Sequence, residues 1–121
     1  MTREAEVYKE VRFESAHRLP RVAETHKCRR LHGHSFRARL GVRGPIDEEL
    51  GWVVDFAEIK RAVKSALDRL DHAYLNEIEG LENPTGENIA IWIWERVKPA
   101  LPGLFEVTVH ETCTGSCTYR G

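Results

Sequence analysis

His32-Gly33-His34-Ser35-Phe36-Arg37-Ala38-Arg39-Leu40-Gly41-Val42-Arg43 is the stretch whose reading decides the fold. Its side chains alternate. His32, His34, Phe36, Ala38, Leu40 and Val42 take one face, and Ser35, Arg37, Arg39 and Arg43 take the other. A period of two with one apolar face is the pattern of a half-buried antiparallel strand. Upstream, residues 7–17 repeat it, with Val7, Val11, Phe13, Ser15 and His17 on one parity and Tyr8, Glu10, Arg12 and Glu14 on the other. A long loop over residues 18–31 joins the two strands.

Downstream the period changes to that of a helix. Phe56, Ile59, Val63, Leu67 and Leu70 lie on one helical face. Asp55 is placed as its N-cap, and Glu58 three residues on suggests a capping box. A second helix begins after Asn83-Pro84-Thr85, with Thr85 as cap, and stops before Pro99. Its middle, Ile89 to Trp94, is apolar all round, so part of it is expected to face another subunit. A third strand puts Phe105, Val107, Val109 and Glu111 on one face, opposite Glu106, Thr108 and His110. Thr114-Gly115-Ser116 reads as a turn and Cys117 to Arg120 as a short last strand. The order ββααββ, with strands and helices in runs, indicates an α+β domain: a four-stranded antiparallel sheet with two helices on one face.

The chain has 121 residues, which suits a single domain over 1–121. Eighteen basic and 19 acidic residues give a formal charge of −1, which argues against nucleic acid or an anionic membrane as the main partner. The longest apolar run, Ile89 to Trp94, is too short to span a membrane. The N-terminus lacks the apolar stretch of a signal peptide. The three cysteines then read as reduced thiols of a cytoplasmic protein, although Cys113 and Cys117 could pair in principle.

His32 and His34, two apart on a strand, project to the same face. His17 ends the first strand on its apolar parity. If the strands pair through the long loop, three imidazoles meet, and three histidines with a fourth position open form a catalytic zinc pattern. His26, in a polar loop, and His110, with outward parity, read as non-ligands. Cys28 lies among Arg18, Arg21, Lys27, Arg29 and Arg30, opposed only by Glu24. Cationic neighbours and a metal favour thiolate, so Cys28 is a candidate fourth ligand, nucleophile or general base. The same basic cluster suits a phosphate chain, or is simply a solvated loop. Asp71-His72 forms a carboxylate–imidazole dyad if the backbone turns there, and otherwise only terminates the helix. Glu111 continues an apolar strand face and needs a partner, either an arginine or the paired N–H donors of a guanidine-like or pterin edge.

Together these residues resemble the 6-pyruvoyltetrahydropterin synthase superfamily, and within it the bacterial 6-carboxytetrahydropterin synthases of queuosine (7-deazaguanine) biosynthesis. The resemblance covers nearly the whole chain: Glu14-Ser15-Ala16-His17-Arg18-Leu19-Pro20, Cys28-Arg29-Arg30-Leu31-His32-Gly33-His34, Gly51-Trp52-Val53-Val54-Asp55-Phe56, Leu70-Asp71-His72, Leu81-Glu82-Asn83-Pro84-Thr85 and Glu111-Thr112-Cys113. Three residues between the cysteine and His-Gly-His is the spacing of the carboxy-type enzymes. The resemblance implies a tunnelling fold (T-fold) whose sheets join edge to edge into a barrel, and a homo-oligomer, a hexamer, with active sites between subunits. It implies a zinc-dependent lyase that takes 7,8-dihydroneopterin triphosphate to 6-carboxy-5,6,7,8-tetrahydropterin, acetaldehyde and triphosphate. Zn2+ would sit on His17, His32 and His34. Glu111 would anchor the pterin, Cys28 would act as base, and His72, oriented by Asp71, would relay protons. Lys27, Arg29 and Arg30 are candidate triphosphate contacts. Three other readings compete: 6-pyruvoyltetrahydropterin synthesis on the same fold, a zinc-stabilised binding module closed by Cys28, and a zinc hydrolase.

Overall fold

The computed structural model describes residues 2–111 and 114–121. Strand Glu4–His17 (β1) pairs antiparallel with His32–Pro45 (β2), in a register that places Phe13 against Phe36, Ser15 against His34 and His17 against His32. Directly opposed residues share a face, so the parity read from each strand becomes one continuous surface. After β2 come helix Phe56–Leu70 (α1), the two-residue strand Ala73–Tyr74 (β3), helix Gly86–Val97 (α2), and strands Leu104–Glu111 (β4) and Gly115–Tyr119 (β5). The sheet order is β3-β1-β2-β4-β5.

The α+β class with two helices and a sheet stands as read. The strand count does not. The sheet has five strands where four were expected, and β3 runs parallel to β1, so it is not wholly antiparallel. The last strand begins at Gly115, earlier than expected, and pairs Glu111 with Gly115. The register between β2 and β4 shifts at Gly41/Val42, pairing Gly41 with Glu106 and Val42 with Leu104. This bulge fits two residues against one. Leu104 therefore takes the core position, and Phe105 packs edge-on against Tyr8 on the open face, contrary to the alternation expected for it.

Both helices cover one face of the sheet. Ile59, Val63, Ala66 and Leu70 of α1 and Ile89, Ala90, Ile93 and Val97 of α2 join Phe13, Phe36, Ala38, Leu40, Val107 and Val109 in one buried cluster. Asp55 caps α1 by accepting the Ala57 N–H at 2.9 Å, but Glu58 pairs with Arg61 and does not close a capping box. Thr85 caps α2 through the Asn88 N–H at 3.1 Å. The apolar girth of α2 is covered largely by the chain itself. Trp94 stands edge-on to Tyr119, and Trp92 lies beneath the Arg96 and Arg69 guanidinium groups. None of the helices among the described residues is long and apolar enough to cross a membrane.

Candidate active site

At the β1/β2 sheet end, the register delivers the three imidazoles to one point. One ring nitrogen from each of His17, His32 and His34 lies within 4.8 Å of the others. The ring centroids are 4.7 Å apart for His17 and His32, 5.1 Å for His17 and His34, and 4.6 Å for His32 and His34. Phe36 stands edge-on to both His17 and His34 and supports them from the core side.

Backbone carbonyls orient two of the rings. The His17 Nδ1–H donates to the Pro84 carbonyl at 2.8 Å, and the His32 Nδ1–H to the Arg30 carbonyl at 2.6 Å. Each bond leaves Nε2 as the free lone pair, the arrangement that fixes metal-ligating histidines. His17 is fully buried and its Nε2 has no hydrogen-bond partner. A buried nitrogen without a partner is costly, and a metal ion would satisfy it. Burial holds the His17 pKa down at about 4, with His32 and His34 acting in the same direction and the Pro84 carbonyl opposing. Burial and His32 lower that of His34 as well. Neutral imidazoles suit Zn2+.

Beside the triad opens a cavity of about 370 Å³ lined by Lys27, Cys28, His34, Glu87, Glu111 and Cys117, among others. Cys28 reaches it on a single 3-10 turn, Lys27–Arg29, whose N-terminal cap is His26: the Cys28 N–H donates to His26 Nδ1 at 3.0 Å. Glu111 is half-buried over the start of α2, with its carboxylate against Gly86. Burial, then the charge of Glu87, raises the Glu111 pKa, with the Gly86 N–H and His32 opposing. Burial first, then Glu87 and Glu111, also raises that of the Cys117 thiol.

The Asp71–His72 dyad exists. Asp71 Oδ2 lies 3.0 Å from His72 Nδ1. His72 takes a left-handed backbone, φ 54°, rare for a residue with a side chain and common at functional turns. The Glu14 N–H, then His72, lowers the Asp71 pKa. His72, however, lines a different cavity of about 510 Å³, with Glu14, Ser15, His34 and Ser35. Within one chain, therefore, His34 lines both cavities, with Cys28 and Glu111 on one and His72 on the other.

Of the basic residues, Lys27 lines the Cys28 cavity. Arg29 is committed to the loop: its Nη1 donates to the Pro20 and Val22 carbonyls at 3.1 and 2.8 Å. Arg30 is exposed and supplies the carbonyl that orients His32. Thr112 and Cys113, the end of the terminal motif and one half of the conceivable cysteine pair, lie outside the described residues. Cys28 and Cys117 are free thiols.

The sequence pattern of 6-pyruvoyl tetrahydropterin synthase matches residues 6–121. The chain belongs to the 6-pyruvoyl tetrahydropterin synthase family. It is 46% identical over 119 residues to the 6-carboxy-5,6,7,8-tetrahydropterin synthase of Synechocystis sp., covering 93% of this chain and 91% of that protein. It is 36% identical over 128 residues to the 6-pyruvoyl tetrahydrobiopterin synthase of Drosophila melanogaster, covering 90% and 75%. The solved structure of Caenorhabditis elegans 6-pyruvoyl tetrahydropterin synthase matches with a TM-score of 0.90 at 29% identity, over 98% of this chain and 96% of that one. As a member of this synthase family the chain is an enzyme, a lyase.

Sequence reasoning missed the parts of this synthase-family site that act through backbone atoms or small size. The Pro84 and Arg30 carbonyls carry no residue-type signal. Gly86 carries one only in hindsight. A Cβ there would lie 2.6 Å from Glu111 Oε1 and 3.2 Å from Cys117 Sγ, so glycine is what lets the carboxylate sit on the helix end. The atom displaced is the tip of a flexible side chain, so Gly86→Ala should fold and yet move Glu111. We expect KM to rise about 10- to 100-fold, equivalent to ~1.4–2.8 kcal/mol, with a smaller change in kcat. Steady-state kinetics check this, and an unchanged KM would show that Glu111 does not need that seat.

Proposed function

We propose that the chain converts 7,8-dihydroneopterin triphosphate and water to 6-carboxy-5,6,7,8-tetrahydropterin, acetaldehyde and triphosphate, a step of queuosine (7-deazaguanine) biosynthesis. The observation that carries this reading is the convergence of Glu111, Cys28, Lys27 and His34 on one cavity beside a histidine triad. The 46% identity to a protein named for this product supports it.

His17, His32 and His34 would hold Zn2+, whose fit rests on the unpartnered buried Nε2 of His17 and the carbonyl-locked tautomers. When bound there, zinc would supply Lewis acidity toward the substrate's side-chain hydroxyls. The protein's own groups do the rest. Glu111 accepts two N–H bonds side by side from the pterin edge and fixes the ring. Cys28, carried on a short capped turn, takes a proton from the side chain in reach of that ring. His72, with Asp71 on its Nδ1, moves protons from a second direction. Lys27 faces the cavity and is the foremost triphosphate contact, with exposed Arg30 behind it. The family resemblance supports a homo-oligomer, a hexamer, of this single-domain chain with the site between copies, which would bring His72 of one copy to the Cys28 cavity of another. Its free thiols suit the cytoplasm.

A second reading, 6-pyruvoyltetrahydropterin synthesis, is favoured by the structural likeness to the C. elegans protein and eliminates triphosphate without releasing acetaldehyde. Product mass separates the two. Zinc-loaded protein incubated with 7,8-dihydroneopterin triphosphate should give a carboxytetrahydropterin and acetaldehyde. A pyruvoyl product would move the chain to the second reading.

A further inference from the structure

The parallel pairing of β3 with β1 is only two residues long, Ser15 with Ala73 and Ala16 with Tyr74. Side chains extend it at both ends. Upstream, Asp71 Oδ1 accepts the Glu14 N–H at 2.9 Å, and the His72 N–H donates to the Glu14 carbonyl at 2.6 Å. Downstream, Asn76 grips Arg18. The Arg18 N–H donates to Asn76 Oδ1 at 2.9 Å, and Asn76 Nδ2 donates to the Arg18 carbonyl at 2.8 Å. One carboxamide thus supplies the donor and acceptor that a neighbouring strand would offer. Asn76 Nδ2 also lies 3.4 Å from the Glu82 carbonyl, in the segment that leads to Pro84, the partner of His17.

Arg18 stands between two parts of the site. The residue before it is His17. The residue after it, Leu19, donates its N–H to the Cys28 carbonyl at 2.8 Å, so the Cys28 turn hangs from this point. We propose that Asn76 is a positioning residue that sets both His17 and the Cys28 turn. It acts through the Arg18 backbone and touches no reacting group. A carboxamide is required at this place. Alanine removes both bonds, and aspartate offers only acceptors, which would face the Arg18 carbonyl. The effect on metal rests on the zinc reading of the triad, whereas the effect on Cys28 does not.

The test compares full-length wild type, Asn76→Ala and Asn76→Asp. Zinc affinity is measured by competition with a chromophoric chelator, Cys28 alkylation by iodoacetamide is followed by peptide mass, and Tm is recorded alongside. Both variants should lose about 10- to 100-fold in zinc affinity, the usual effect of removing a group that orients a metal ligand. Cys28 should be alkylated several-fold faster as its turn loosens, and Asp should fare no better than Ala. If Asn76→Ala does not fold, the nearly isosteric Asn76→Asp decides. Zinc affinity and alkylation within twofold of wild type, even with a lowered Tm, would show that Asn76 serves stability alone and overturn the proposal. If wild type itself takes no zinc, the metal reading fails, and the alkylation rates still decide whether Asn76 sets Cys28.

Discussion

Replacing Glu111 with glutamine is expected to raise the melting temperature of the metal-free protein at pH 7 while removing nearly all turnover. The first half follows from burial. Glu111 sits half-buried over the start of α2, and burial, followed by Glu87, pushes its pKa up, with the Gly86 N–H and His32 opposing. A carboxyl whose folded pKa lies above its unfolded value of about 4.3 adds stability below that value and loses it as pH rises through the folded one. At neutral pH the ionised carboxylate is therefore a net cost, which glutamine removes. The advantage of glutamine should be greatest at pH 7 and above, and should vanish as pH falls to about 4. The second half follows from hydrogen bonding. A carboxylate accepts from two N–H donors, whereas the glutamine NH2 would confront one of them. Losing one charge-assisted bond of ~2 kcal/mol and the charge on the other, ~1 kcal/mol more, lowers kcat/KM by about 10²-fold. Thermal melts across pH, with kinetics at one pH, check both halves. A glutamine variant less stable than wild type at pH 7 would show that Glu111 has a compensating partner in the free protein.

That a group proposed to bind the pterin is a burden to folding also explains what could be read from the sequence. His17, His32, His34 and Glu111 were legible because each continues an apolar parity with a residue that gains nothing from being there, and strand parity has a period of two with little slack. The failures have the opposite character. β3 spans Ala73 and Tyr74, and two residues cannot show a period; its pairing with β1 is extended by the Asp71 side chain and the His72 N–H. Phe105 was assigned to the core face because alternation was carried through 104–106, where the register shift at Gly41/Val42 uses up one residue. Arg29 stands in a basic loop, and composition could not show that its Nη1 donates to the Pro20 and Val22 carbonyls. The all-apolar middle of α2 suggested a second subunit, and within the chain β5 brings Tyr119 against Trp94, a contact the sequence pattern did not show. At β3 and Phe105 a contact between segments distant in sequence decided the structure, and at Arg29 the deciding carbonyls are seven and nine residues away.

Removing the zinc proposed for the triad is the second change with a large expected effect, and it separates a catalytic centre from a structural one. A structural zinc closes four protein ligands, and the chain unfolds without it. Here the three histidines form a group to themselves, and Cys28 lines the neighbouring cavity with Glu111. The core of Phe13, Phe36, Leu40, Ile59, Leu70 and Ile93 is closed without any contribution from a metal. Chelation should therefore abolish turnover, leave the far-ultraviolet circular dichroism spectrum close to that of the holo-protein, and lower Tm only by the linkage term, about 4 kcal/mol at a thousandfold excess of zinc over Kd. Part of that loss is specific: the buried His17 Nε2 returns to having no partner. His17→Ala should match the chelated protein in activity and should not recover when zinc is restored, whereas chelated wild type should. A chain that lost its helical and sheet signal on chelation would instead have zinc as a structural staple, and the three-ligand site with an open position would have to be abandoned.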